Sequence, residues 1–214
     1  MLGITAIAWE IPQEIKDRFV FWANRHQPKP GLQLEIIENF EDCHVKDKEG
    51  WWFSKAKGAN VGVRKLMHCD VIIQADIDII FPPKLLKWIY RRLNHKANNW
   101  IFVQPRFVSI EDFLSVSWEE LLKWPTRPSA SGVFNAAKPK VWKEIGGWNE
   151  NLYGYGHADG DLRGRVKKSK FNFESLHNWP LVHISHLDRI RAEQGIRGPV
   201  NREIAKRTGG QKWL

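Results

Sequence analysis

Cysteine is scarce in this chain, with two in 214 residues. Cys43 and Cys69 have neither metal-ligand spacing nor a disulfide framework, so nothing in them demands an oxidising compartment. Long apolar runs are missing as well, and no stretch approaches the length of a membrane span. Residues 2–9 are too short for the apolar core of a secretory leader and are followed by acidic residues. The expectation is a cytoplasmic protein. The chain has no internal repeat, no low-complexity block and no interdomain linker, and its length suits one domain, 1–214, with a substantial core.

What is present is ordinary in bulk and unusual in two respects. Apolar residues make up 43% and charged residues 27%, the balance of a globular protein. Twelve tryptophans are many for this length, and any that are exposed suit stacking on sugars or bases. Net charge is +9. Much of it lies late, at Arg163, Arg165, Lys167, Lys168 and Lys170 and in a basic tail from about residue 188. A basic balance attracts phosphorylated partners, whether a nucleotide, a nucleic acid or an anionic surface; its plainer reading is a solvated face.

The pattern begins as strand, helix, strand. Residues 2–9 read as a strand, Pro12 opens a helix with Ile15, Phe19 and Trp22 on one face, and residues 32–37 read as a second strand. Residues 41–48 are charged and read as a loop. A helix over 54–66 leads into a strand at 71–74, and Pro82-Pro83 suit the first turn of a helix over 84–93. Strands follow at 100–104, 134–137 and 181–184, with partial helix over 111–124, a helix at 140–145 stopped by Gly146-Gly147, and another from Asp161 to 168. This is the alternation of an α/β fold with a mainly parallel sheet covered by helices.

Three features carry chemistry. The apolar run Val71-Ile72-Ile73 ends in Asp76-Ile77-Asp78. On an extended strand end the two carboxylates project the same way, and such a pair is costly unless a cation sits between them. Magnesium and manganese take one or two carboxylates plus substrate phosphates, so a divalent ion carrying a diphosphate fits; a helix-capping role is the alternative. Second, residues 152–160 form a glycine-rich loop with Tyr153 and Tyr155, whose backbone must approach something closely. It ends in Asp159 and Asp161. One of them can serve as a general base toward a hydroxyl, and Asp161 reads as the cap of the next helix. Third, His183 and His186 stand at the last strand's end. Three apart, they face opposite ways if extended, so only one can join a given ion, and a purely structural histidine is the alternative.

Taken in order, these segments resemble the GT-A glycosyltransferases, particularly the galactosyltransferase and polypeptide N-acetylgalactosaminyltransferase type. Lys55-Ala56-Lys57-Gly58-Ala59-Asn60-Val61-Gly62 is similar to that family's Arg-Ala-Lys-x-x-Asn-x-Gly helix, and Asp76-Ile77-Asp78 to its metal motif. Ser131-Gly132-Val133-Phe134 resembles the strand before the acceptor loop. Gly147-Trp148-Asn149-Glu150 and Gly154-Tyr155-Gly156 follow at the family's interval, then His186-Leu187-Asp188-Arg189. The resemblance implies a GT-A (nucleotide-diphospho-sugar transferase) fold and a metal-dependent transferase using Mn²⁺ or Mg²⁺ and a UDP-sugar donor. It implies metal contacts at Asp76, Asp78 and His186, favouring His186 over His183. Lys57, Asn60, Asp76 and Arg189 would contact the donor, Trp148 and Tyr155 a carbohydrate or protein hydroxyl acceptor, and Asp159 would be the catalytic base.

Departures from the family pattern are informative. Ala158 stands where the family has Glu, so only Asp159 is carried over as base, and Tyr155 replaces the usual Trp. No nucleobase motif is clear in the first two strands, where Trp9 and Glu38 are candidate contacts. The chain is short for this type, which points to acceptor recognition on a partner chain or in an oligomer. Two rival readings are a basic, Trp-rich nucleic-acid-binding protein, which leaves the ordered acidic and glycine motifs unexplained, and a transferase relative without activity.

Overall fold

A computed structural model describes residues 1–8, 11–25, 31–48, 50–82, 84–109, 112, 115–121, 123–126, 132–154, 156–184 and 197–208. The chain opens with β1 (Leu2–Ile7), α1 (Gln13–Arg25) and β2 (Leu32–Ile37), the strand-helix-strand unit expected. A short α2 (Phe40–Cys43) and the hairpin β3 (His44–Asp47) and β4 (Gly50–Phe53) follow, then α3 (Lys55–Lys65), β5 (Val71–Ala75), β6 (Ile79–Ile80) and α4 (Leu85–His95). The second half runs β7 (Asn99–Val108), α5 (Trp118–Leu121), β8 (Phe134–Ala137), α6 (Pro139–Ile145), α7 (Ala158–Lys168), β9 (Asn172–Ile184) and α8 (Gly198–Arg207).

Seven strands form one sheet in the order β2-β1-β5-β8-β7-β9-β6. The pairings set β1, β2, β5, β7 and β9 in one direction and β8 and β6 against them, so the sheet is mostly parallel in sense. β5 is buried along its whole length. Its Val71, Ile73 and Ala75 join the core under α1 and α4, while Ile72 joins the core under α3, α6 and α7. That two-sided burial explains the continuous apolar run that precedes Asp76. Three tryptophans, Trp100, Trp142 and Trp148, are fully buried in the second core.

Several elements differ from expectation. Residues 41–48 are not a loop: Glu41 and Asp42 lie in α2, and Lys46 and Asp47 lie in β3, which pairs with β4 as a two-stranded hairpin. β7 continues through Pro105, where the β7–β9 register shifts, which is where a strand tolerates a residue without an N–H. β9 begins nine residues before the expected 181, at Asn172. The tail contains α8. Both cysteines are buried free thiols; burial and then Asp42 push Cys43 up to about 11, against a smaller lowering by Lys57. Among the described residues no helix is long and apolar enough to cross a membrane.

The helix α3 lies close on β1 because Gly62 has no side chain. A Cβ there would lie 2.7 Å from Thr5 Cβ and overlap its hydroxyl. Alanine would gain about 1 kcal/mol in helix propensity, but Thr5 is β-branched and fully buried on a central strand and cannot yield. Gly62→Ala is therefore expected to destabilise by about 1–3 kcal/mol net, read as a lower urea midpoint with an unchanged slope.

Candidate functional site

The apolar strand β5 stops at Ala75, and Asp76 begins a turn in which the Ile79 N–H donates to the Asp76 carbonyl at 3.3 Å. The two aspartates thus lie in a turn between β5 and the edge strand β6, not on an extended strand. The Asp76 N–H donates to Val133 O at 2.8 Å and the Ile184 N–H to Asp78 O at 3.1 Å, so both flanks of the turn are tied to the sheet. Because β6 pairs with the end of β9, His183 sits opposite Ile79. Its Nε2 is 3.1 Å from Asp78 Oδ2, and its ring stacks on Phe107 at 4.4 Å between centroids. Asp76, Asp78 and His183 each offer a ligand atom within 4.8 Å of the others.

Asp159 faces this group from α7. It lies in the first turn, where a carboxylate is favoured by the helix dipole, just after His157, whose φ of 72° puts a non-glycine residue in the left-handed region. Lys55 joins the two sides. Its Nζ is 2.8 Å from Asp76 Oδ1, 3.0 Å from Asp76 Oδ2 and 3.7 Å from Asp159 Oδ1. Burial works to lower the Lys55 pKa, but Asp159, Asp76 and Asp78 outweigh it and hold the group above its ordinary value. Arg18 of α1 faces Asp78 as well; burial lowers its pKa more than Asp78 and Glu14 raise it.

Three carboxylates therefore converge on two side-chain cations and an imidazole. His183 is nearly enclosed, and its Nδ1 has no hydrogen-bond partner among the described residues. Two carboxylates and one imidazole form a donor set that suits Mn²⁺. The residues present fit a divalent ion.

The structure redistributes the other expected roles. Lys57 does not face the site: its ammonium is held by the carbonyls of Glu41 and, at 3.0 Å, His44, which fastens α3 to the hairpin. Asn60 is fully buried. Its Nδ2 donates to Trp148 O at 2.9 Å and to Glu150 Oε1 at 2.8 Å, and its Oδ1 accepts from Trp148 N at 2.8 Å. Asn60 is a staple between α3 and the segment after α6, and Trp148 is a core residue with no exposed face for an acceptor. Glu38 is paired with Lys16 at 2.6 Å. Asp161 is not a cap, since α7 starts at Ala158; it is enclosed and paired with Arg165 at 2.9 Å. His186, Arg189, Tyr155, Ser131 and Trp9 lie outside the described residues.

The glycine loop approaches protein. Gly154 N–H donates to Phe53 O at 2.8 Å, and a Cβ on Gly156, whose φ is 111°, would lie 3.0 Å from Gly198 Cα of α8. Asn201 of α8 donates to Tyr153 O and Gly156 O, and the Arg197 guanidinium lies over the rings of both Trp52 and Tyr153. Lys55, which meets Asp76 and Asp159, is a member of the site to which the sequence pattern assigned no role. Its signal was its place: a cation directly after the N-cap Ser54 opposes the helix dipole, so it serves other charges.

Removing the Asn60 amide leaves the Trp148 backbone without partners in a dry core. Asn60→Ala is expected to cost about 3 kcal/mol, seen as a Tm lowered by roughly 6–12 °C.

No protein-family model matches this chain, and no curated protein does by sequence. Solved structures do match in fold. The catalytic domain of Drosophila beta1,4-galactosyltransferase 7 in complex with xylobiose aligns with a TM-score of 0.65 at 13% identity, covering 96% of this chain and 79% of that one. A mutant of that enzyme in complex with manganese, UDP-Gal and xylobiose gives 0.62 at 13%, covering 97% and 80%. GalNAc-T7 with UDP, GalNAc and Mn²⁺ gives 0.69 at 12%, covering 97% of this chain and 47% of that one. The fold is that of the GT-A glycosyltransferases.

Proposed function

We propose that this chain is a metal-dependent glycosyltransferase that moves a sugar from a nucleotide-diphosphate donor, UDP-linked, to a hydroxyl acceptor. The observation that carries the reading is the convergence of Asp76, Asp78 and His183 at the end of β5, with Asp159 brought to the same place from α7. Structural neighbours complexed with manganese and UDP or UDP-Gal support the choice of donor and ion.

Asp78 and His183 would hold the ion, with Asp76 reaching it or the donor's ribose and sugar. Mn²⁺ or Mg²⁺, when bound, neutralises charge on the departing diphosphate. Lys55 and Arg18 keep the carboxylates compensated and ordered. For an inverting transfer, an Asp159 carboxylate oxygen takes the acceptor hydroxyl's proton while the hydroxyl oxygen bonds to the anomeric carbon and the sugar–diphosphate bond breaks. Arg189 is assigned to the diphosphate and Tyr155 to the acceptor on sequence resemblance.

A panel of nucleotide-sugars screened for thermal stabilisation with and without Mn²⁺ tests the reading. A ligand at about a hundred times its dissociation constant stabilises by about 2.7 kcal/mol, a Tm rise of about 5–10 °C at this size. The expected result is a rise with a UDP-sugar only when Mn²⁺ is present. A salt-sensitive rise with oligonucleotides, indifferent to metal, would establish the nucleic-acid reading instead.

A further inference from the structure

Resting on that reading, we infer that Lys55 is the resident counter-ion of the metal site: its ammonium and a divalent cation are alternative occupants of Asp76, and the ion enters as the lysine leaves.

Three observations converge on this. Lys55 occupies the first position of α3, where the helix dipole repels a cation, so its placement is maintained by something stronger. That something is close at hand, since both Asp76 oxygens lie within 3.0 Å of Nζ and Asp159 Oδ1 lies at 3.7 Å. Finally, the ligand atoms of Asp76, Asp78 and His183 lie within 4.8 Å of one another. An ion bound among them would stand a few ångströms from Nζ. Repulsion at that range is large even at the effective dielectric of a protein surface.

The same carboxylates that attract the ion are compensated without it. Asp76 and Asp159 share one ammonium, which spares a donor site of three carboxylates the cost of standing unpaired. The lysine thus links the ion-binding aspartate to the base: releasing it from Asp76 changes what Asp159 faces. A purely structural brace makes the opposite forecast, because loosening Asp76 would weaken ion binding. The sign of the effect separates the two.

The probe is Mn²⁺ alone, read by loss of its free-ion EPR signal on binding, which requires no turnover. Lys55→Met keeps the side-chain stem beside the Trp148 ring, 5.4 Å from Nζ, and removes the charge. It is expected to bind Mn²⁺ about tenfold or more tightly than the native chain. Lys55→Arg, with a cation restored, is expected to return toward the native affinity. Adding Asp78→Ala to Lys55→Met should abolish the gain. In the native chain, acetylation of Lys55 by acetic anhydride, followed by mass spectrometry against the other lysines, should rise several-fold at saturating Mn²⁺. If the native chain binds Mn²⁺ and Lys55→Met binds it equally or less well, the inference is overturned and the transferase reading stands. If neither binds Mn²⁺, with or without UDP, the transferase reading fails and takes the inference with it. Should Lys55→Met not fold, unchanged acetylation of native Lys55 at saturating Mn²⁺ overturns the inference.

Discussion

Asp78→Ala is expected to eliminate Mn²⁺-dependent stabilisation by a UDP-sugar and to lower transfer by about 100-fold or more. Asp78 is enclosed at 4% exposure, and its Oδ2 meets His183 Nε2 at 3.1 Å. An enclosed carboxylate is tolerated only where cations or donors meet it, and those here include His183, with Arg18 and Lys55 at longer range. Removing it takes away a charged ligand and leaves His183 without its partner, so the histidine cannot compensate. The backbone tie from Ile184 N–H to Asp78 O does not depend on the side chain, so the turn should keep its path. His183→Ala is expected to weaken the ion by a smaller factor, since both carboxylates remain. The measurement is the Mn²⁺-dependent thermal shift, with circular dichroism to establish that the variant folds. Undiminished Mn²⁺-dependent stabilisation in Asp78→Ala would place the ion elsewhere.

How much of this was legible in the sequence depends on range. The strand β5 and its carboxylates were, because five consecutive buried residues followed by two acids on one short turn are a local signal. So were α1, β2 and β8, whose periodicity or apolar run is complete within the element. The hairpin β3–β4 was not: its charged residues hide a two-stranded unit that only pairing reveals. β9 was read short because Asn178 and Pro180 interrupt its pattern, while its place beside β7 supplies the ladder that holds it.

Motif residues divide in the same way. Gly62 and Asn60 read as parts of a donor-facing helix, but their reasons are packing against Thr5 and a staple to Trp148. A motif marks residues that must recur together; it does not say which touch the ligand and which hold the frame. Lys55 and Lys57 are two apart on one helix and of the same residue type. Position relative to the sheet end, unavailable to periodicity, sends one to Asp76 and the other to the carbonyls of Glu41 and His44.

The largest catalytic effect is expected at Asp159. Asp159→Asn removes the proton acceptor while preserving shape, and transfer should fall about 10²- to 10⁴-fold with Mn²⁺-dependent donor stabilisation retained. Undiminished transfer would remove Asp159 from the chemistry. A second variant reaches the same carboxylate without touching it. Gly132 lies so near that a Cβ on it would overlap the Asp159 carboxyl group. Gly132 cannot retreat, because the next residue, Val133, is buried and its carbonyl accepts the Asp76 N–H at 2.8 Å. Gly132→Ala must therefore displace the Asp159 carboxyl group from its present position. Transfer is expected to fall about tenfold or more, since displacements of about 1 Å at a reacting group can cost about 10²-fold. If both substitutions act through one carboxylate, their effects cannot add: placed on Asp159→Asn, Gly132→Ala should cost little further activity. Full additivity in the double variant would mean that Gly132 acts on something other than Asp159.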